Sequence, residues 1–180
     1  QQQLTDSDAA QRALDLGGLK NEENKNLDKC TNGAAELESC GTAPSIKGIA
    51  EWLNTPGGAP IDLAALKGKV VLIDFWATWC GPCVGEVPNV VKAYEKLHDR
   101  GFEIIGISLD SNKAALTKFT TEQKMKWPQY FDGLGWKNKI ATRFGIRSIP
   151  AMWLVDKKGM VVSTSVRGKL EAEVEKRLAE

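Results

Sequence analysis

Histidine is nearly absent from this 180-residue chain. The one present, His98, falls near the far end of an expected helix, where a solvated side chain is the expectation, so no Cys–His hydrolase arrangement can be built from it. A surplus of either charge is missing too. Lys and Arg number 24 against 23 Asp and Glu, a formal net charge of +1, which argues against a nucleic-acid binder. No apolar run approaches the length needed to span a membrane. The first residues, Gln1-Gln2-Gln3, lack a methionine, which fits a removed signal peptide, a trimmed anchor or a simple chain boundary. What is present, 42% hydrophobic and 26% charged residues, is the balance of a globular protein with room for one domain and an extension.

Cysteine is scarce but paired. Cys30 and Cys40 lie in polar sequence, whereas Cys80 and Cys83 lie in Trp79-Cys80-Gly81-Pro82-Cys83. An even count with one pair outside any catalytic setting suggests an oxidising compartment. A structural Cys30–Cys40 bridge is expected, with two unpaired thiols as the alternative. Closing so short a loop would contribute about 2.5–3 kcal/mol. The wide separation of the two pairs argues against a four-cysteine zinc site, and no metal or cofactor is expected beyond a redox-active Cys80–Cys83 couple.

Residues 1–43 read as a polar extension, mostly helical or irregular, and 44–180 as the compact domain. Within the extension, short helical pieces are expected through Ala9–Leu14 and around Ala34–Leu37. Trp52, in the apolar stretch Ile46–Leu53, is a candidate packing anchor. Residues 61–69 suggest a short helical turn leading into strand 70–76. The spacing then predicts a helix over 81–99, a strand over 102–108 and a helix through Ala115, Leu116 and Phe119 capped by Asp110, Ser111 or Asn112. A short strand at 127–131, a short helix at 136–143, a hairpin of 151–155 with 160–166, and a helix over 169–178 follow. This order implies a mixed sheet with helices on both faces.

Two cysteines two residues apart can close and reopen a small disulfide. Here they fall where an apolar strand turns into a helix, with Cys80 at the helix start, where unpaired N–H groups and the helix dipole favour a thiolate. Cys80 is the candidate nucleophile, and Cys83, one turn inside, the resolving thiol. Resolution needs a thiolate at Cys83, so a proton acceptor should help. Asp74 on the strand and Glu86 in the first helical turn are the candidates. An acidic residue that merely stabilises a helix start is the alternative for Glu86. Asp74 lies in an apolar strand, where a charge costs several kcal/mol unless paired or protonated. Pro88 is expected to kink the helix. Trp76 and Trp79 are expected to flank the dithiol, with Trp76 alternatively in the core.

These residues together resemble the thioredoxin fold and, within it, the extracytoplasmic thiol–disulfide oxidoreductases of the TlpA/ResA type. The resemblance covers about residues 43–180 and rests on Leu66-Lys67-Gly68-Lys69-Val70-Val71-Leu72, on Phe75-Trp76-Ala77-Thr78-Trp79-Cys80-Gly81-Pro82-Cys83, on Glu86-Val87-Pro88 and on Ile149-Pro150. It implies a three-layer α/β/α sandwich with a mixed central sheet. A cis Pro150 would face the dithiol, and Ile149, Pro150, Trp79, Gly81 and Pro82 would form the client-facing surface. It further implies a proton-accepting role for either carboxylate. Gly81-Pro82 departs from many TlpA/ResA-type proteins and matches general thioredoxins, which favours the reducing end of the range. Asp74 likewise matches the buried aspartate of thioredoxin, and the extension with Cys30 and Cys40 has no assigned counterpart.

The expected activity is therefore reduction of protein disulfides outside the cytoplasm by a monomer. A membrane or soluble thiol donor would regenerate it, and cytochrome c maturation or related metalloprotein assembly is the suggested job. A disulfide-donating oxidase and a thioredoxin-fold docking or assembly module are the alternatives. A peroxiredoxin-type peroxidase would use one cysteine in a Thr/Ser-rich setting, which this paired signature is not.

Overall fold

The computed structural model describes residues 51–180. The expected extension over 1–43, the Cys30–Cys40 bridge and the start of the stretch at 46–53 lie outside the described residues.

The organising element is the strand Val70–Trp76, buried along its whole length, as its nearly unbroken apolar sequence requires of a strand covered on both faces. Taking the strand at Glu51–Leu53 as β1 and Val70–Trp76 as β2, the sheet continues with Phe102–Ser108 (β3) and Gln129–Phe131 (β4). Ala151–Val155 (β5) and Val161–Ser163 (β6) complete it. The order across the sheet is β1-β4-β3-β2-β5-β6. β2 pairs in parallel with β3, setting Asp74 opposite Gly106, and antiparallel with β5, setting Asp74 opposite Met152. β1 closes one edge antiparallel to β4, with Trp52 against Tyr130, their rings 5.4 Å apart.

Among the described residues four helices cover the sheet: Gly81–Leu97 (α1), Lys113–Glu122 (α2), Lys139–Arg143 (α3) and Leu170–Leu178 (α4). In α1 the buried residues Cys83, Val87, Val90, Ala93 and Leu97 recur every three or four positions, the stripe of a helix packed on one side. Alternation along β2 sorts the helices. Trp76 packs against Phe119 of α2 and Asp74 feels the charge of Glu86 on α1, so this face of β2 carries α1 and α2, with α4 packed beside α1. Phe75, pointing the other way, meets Phe144 just beyond α3 and Trp153 of β5. Consecutive right-handed crossovers stepping the same way across a sheet place their helices on one side, which accounts for α1 and α2 sharing theirs.

Several boundaries differ from the sequence expectation, each for a local reason. Helix α1 ends at Leu97; His98–Arg100 tightens to a 3-10 turn and Gly101 turns left-handed at φ 105°. The helix runs through Pro88 as one element. Asn112, not Asp110 or Ser111, caps α2 by accepting from the Ala115 amide at 3.0 Å. The helix expected over 136–143 divides at Asn138, whose extended backbone and side chain start a new helix, leaving Gly135–Lys137 as a separate 3-10 turn. His98 is not simply solvated: it stacks on Tyr94 and its Nδ1 lies 3.0 Å from the Phe102 carbonyl. Among the described residues no helix is long and apolar enough to cross a membrane.

Candidate active site

The dithiol segment hangs between the end of β2 and the start of α1. Cys80 is the N-cap residue, and its Sγ accepts from the Cys83 amide at 3.2 Å. Cys80 and Cys83 are joined in a disulfide. Both are buried, Cys80 at 7% exposure and Cys83 at 3%, so the expected difference in access is present but small. Gly81 and Pro82 between them are exposed.

The Ile149–Pro150 peptide is cis, and the Ile149 carbonyl lies 3.8 Å from Cys80 Sγ. A segment 69 residues away in sequence thus abuts the reactive sulfur. Ile149 and Pro150 are half-buried, with part of their surface open to solvent.

Asp74 is buried on the α1 side of β2. Burial above all, and then the neighbouring charge of Glu86, push its carboxyl from the usual 3.8 up to about 7. A carboxyl in that range can take or give a proton near neutrality. Glu86 has its Oε1 buried with no hydrogen-bond partner, while its Oε2 lies 3.9 Å from Arg167 Nε. The two acidic candidates therefore act on one another, and Arg167, which the sequence did not single out, joins them from the loop before α4.

The turn into the dithiol is held by a residue that sequence reasoning treated only as a possible helix cap. Asp110, buried just past β3, accepts from the Thr78 amide at 3.1 Å and from the Thr78 hydroxyl at 2.6 Å. It also accepts from the Ser108 hydroxyl at 2.6 Å. The backbone joins in, with the Leu109 amide donating to the Trp76 carbonyl at 2.8 Å. No local signal marks this bracket, because Thr78 and Asp110 are 32 positions apart.

The tryptophans separate in role. Trp79 is 53% exposed beside the dithiol, as expected. Trp76 takes its alternative place in the core, its indole N–H donating to Gln129 Oε1 at 2.9 Å. That bond depends on Gly106, where a Cβ would collide with the Gln129 amide. A further exposed tryptophan, Trp136, faces Trp79 with ring centroids 6.2 Å apart. Its nearest sequence signal was the pair of glycines, Gly133 and Gly135, that bend the chain ahead of it at positive φ. Among the described residues no cluster of His, Cys, Asp or Glu could hold a metal ion.

Comparison with known proteins places this geometry. The Redoxin family model matches residues 40–178. Protein DipZ of Mycobacterium tuberculosis is 41% identical over 168 residues, which cover 89% of this chain and 24% of DipZ. Thiol-disulfide oxidoreductase ResA of Bacillus anthracis is 34% identical over 118 residues, 66% of each chain. The chain thus spans about a quarter of the DipZ proteins and just under two thirds of ResA. Among solved structures, the thioredoxin domain of a thiol-disulfide oxidoreductase from Bacteroides vulgatus superposes with a TM-score of 0.66 at 33% identity, covering 78% of this chain and 97% of that one.

Proposed function

The chain belongs to the Redoxin family, as a thioredoxin-fold thiol–disulfide oxidoreductase of the TlpA/ResA type, and on that premise we propose that it works as a reductase of protein disulfides outside the cytoplasm. The observation that carries the reading is Cys80 Sγ seated at the start of α1, accepting the Cys83 amide, where the helix end favours negative charge on sulfur. In the reduced protein the Cys80 thiolate attacks one sulfur of a client disulfide. A Cys80–client bond forms, the client S–S bond breaks, and the departing client thiolate takes a proton. The Cys83 thiolate then attacks Cys80 Sγ, closing the Cys80–Cys83 bond and releasing the second client thiol. Two electrons pass from the protein's dithiol to the client. A membrane or soluble thiol donor returns them.

Asp74 is the proton acceptor for Cys83 in this scheme, with Glu86 tuning it through its charge. Ile149 and Pro150 form the wall along which an extended client strand lies, with Trp79, Gly81 and Pro82 as the rest of the contact surface. Residues 44–180 are the working domain in this reading. Cytochrome c maturation or related metalloprotein assembly is the proposed job, resting on the TlpA/ResA resemblance.

Two measurements test this. A Cys83→Ser variant should accumulate a covalent complex with a client, seen by mass spectrometry and lost on reduction, and Cys80→Ser should form none. The reduction potential of the Cys80–Cys83 couple, with Cys30 and Cys40 replaced, should fall near that of thioredoxin at about −270 mV. A value near about −120 mV, that of a strong disulfide donor, would reverse the electron flow and make the protein an oxidase.

A further inference from the structure

Among the described residues three large apolar side chains are strongly exposed, Trp79 at 53%, Leu134 at 45% and Trp136 at 49%. They are not scattered. Trp79 immediately precedes the dithiol, Trp136 stands against its ring, and Leu134 is two residues before Trp136 on the same loop. Single exposed apolar residues need no explanation, but a cluster beside a reactive group does.

The loop presenting Leu134 and Trp136 is built to hold still. The Asp132 carboxylate accepts from the Leu134 amide at 3.1 Å, from the Lys139 amide at 2.8 Å and from the Tyr130 hydroxyl at 3.2 Å. The loop is thereby pinned at its middle and at its far end. Buried Asn138 fixes that far end again, donating to the Ser108 carbonyl at 3.0 Å and accepting from the Ala141 amide at 2.9 Å. Ser108 also donates to Asp110, the residue that holds Thr78. One set of hydrogen bonds therefore sets both the dithiol turn and the loop beside it. A rigid aromatic surface held by its own supporting contacts is the form a recognition site takes.

Resting on the oxidoreductase reading, we infer that Trp136 and Leu134, together with Trp79, form a docking platform that selects client disulfides flanked by an aromatic or large aliphatic side chain. The chemistry dictates the occupant. A mixed disulfide brings the client sulfur to about 2.05 Å from Cys80 Sγ, so the residues beside the client cysteine approach the surface around Cys80, where Trp79 is the adjoining residue and Trp136 is paired with it. The Ile149 carbonyl, 3.8 Å from Cys80 Sγ, lies against the same sulfur. An apolar flank would shed water against the two indoles, while a charged flank would be left against apolar surface. Trp136 in this role is a specificity-determining residue, without part in the thiol chemistry itself.

The test uses the pre-reduced chain and symmetrical disulfide dimers of an extended hexapeptide with one cysteine, so that either sulfur offers the same flanks. Each turnover converts one protein dithiol and one peptide disulfide to a protein disulfide and two peptide thiols, read by chromatography. Peptides with Phe beside the cysteine should react about tenfold faster than those with Ser, a difference of about 1.4 kcal/mol, and faster still than those with Asp. Trp136→Ala should bring the Phe-to-Ser ratio to about one through a weaker KM, Leu134→Ser should lower it partway, and Trp136→Phe should keep most of it. A wild-type ratio of one, or a ratio that survives Trp136→Ala, overturns the platform while leaving the oxidoreductase reading intact. Failure of the wild type to reduce any of the peptides overturns that reading, and the platform falls with it.

Discussion

Asp74 and Asp110 are both buried aspartates beside the segment that carries Cys80, but they belong to different kinds of region. Asp110, past the end of β3, is surrounded by donors: the Thr78 amide and hydroxyl and the Ser108 hydroxyl all converge on it. Asp74, midway along β2, sits where burial and the charge of Glu86 both work against ionisation, raising its carboxyl to about 7. The same side chain accepts three hydrogen bonds in one region and is held back from ionising in the other. In the proposed reaction, the first region builds and the second handles the proton.

Removing the proton-bearing carboxyl should have the largest effect. Asp74→Asn should slow release of the reduced client by about a hundredfold in single-turnover measurements and abolish an inflection near pH 7 in the rate profile. It should also change how stability depends on pH. The unfolded chain gives up this proton near pH 4, while the folded chain keeps it to about 7, so stability declines across that window and levels off above it. A shift of roughly three pH units corresponds to about 4 kcal/mol. Across pH 4 to 8, the change in unfolding free energy from urea titrations should differ between wild type and Asp74→Asn by about that total. Parallel curves would mean that Asp74 is not the group responsible.

Asp110→Ala should sharpen the contrast from the other side. It strips three donors of their acceptor and should cost about 3 kcal/mol of stability, measured by urea unfolding, while leaving the pH 7 inflection in place. Gly106→Ala tests a third, purely structural link. Forcing Gln129 away from its position breaks the bond to the Trp76 indole and should cost about 2 kcal/mol, with little change in the pH profile of turnover. If either variant erased the inflection, the division between building and reacting regions would fail.

The sequence made the reacting region far more legible than the building one. An aspartate in an otherwise apolar run, Val70-Val71-Leu72-Ile73-Asp74-Phe75, is conspicuous because only a special environment tolerates it, and two cysteines at a strand-to-helix turn declare their chemistry locally. The resemblance added Ile149-Pro150, which no local pattern would have tied to Cys80. Asp110 was inconspicuous for the opposite reason. An aspartate before a helix reads as a cap, and only the parallel register of β2 and β3, bringing Trp76 beside Ser108, shows that it reaches back to Thr78. β1 was obscure because a three-residue strand has almost no periodicity, and its pairing with β4 is set by tertiary packing of Trp52 on Tyr130. Trp136 was read into a helix because its exposure depends on Asn138 ending one turn and starting another.

Glu86→Gln should have the smallest effect, and it separates the two causes of the Asp74 shift. Burial is the larger cause and survives this substitution; the Glu86 charge is the lesser and does not. The inflection in the rate profile should therefore move to lower pH without vanishing, and client release at pH 7 should slow by less than about tenfold, because Asp74 still takes the proton. The carboxylate-to-amide change also leaves Arg167 without its neighbour at 3.9 Å. That pair has a half-exposed arginine and long geometry, so its loss should cost well under about 1 kcal/mol. An inflection that stays in place would mean that burial alone sets the Asp74 proton. One that disappears would move the proton acceptor from the strand to the helix and make Glu86, not Asp74, the group that serves Cys83.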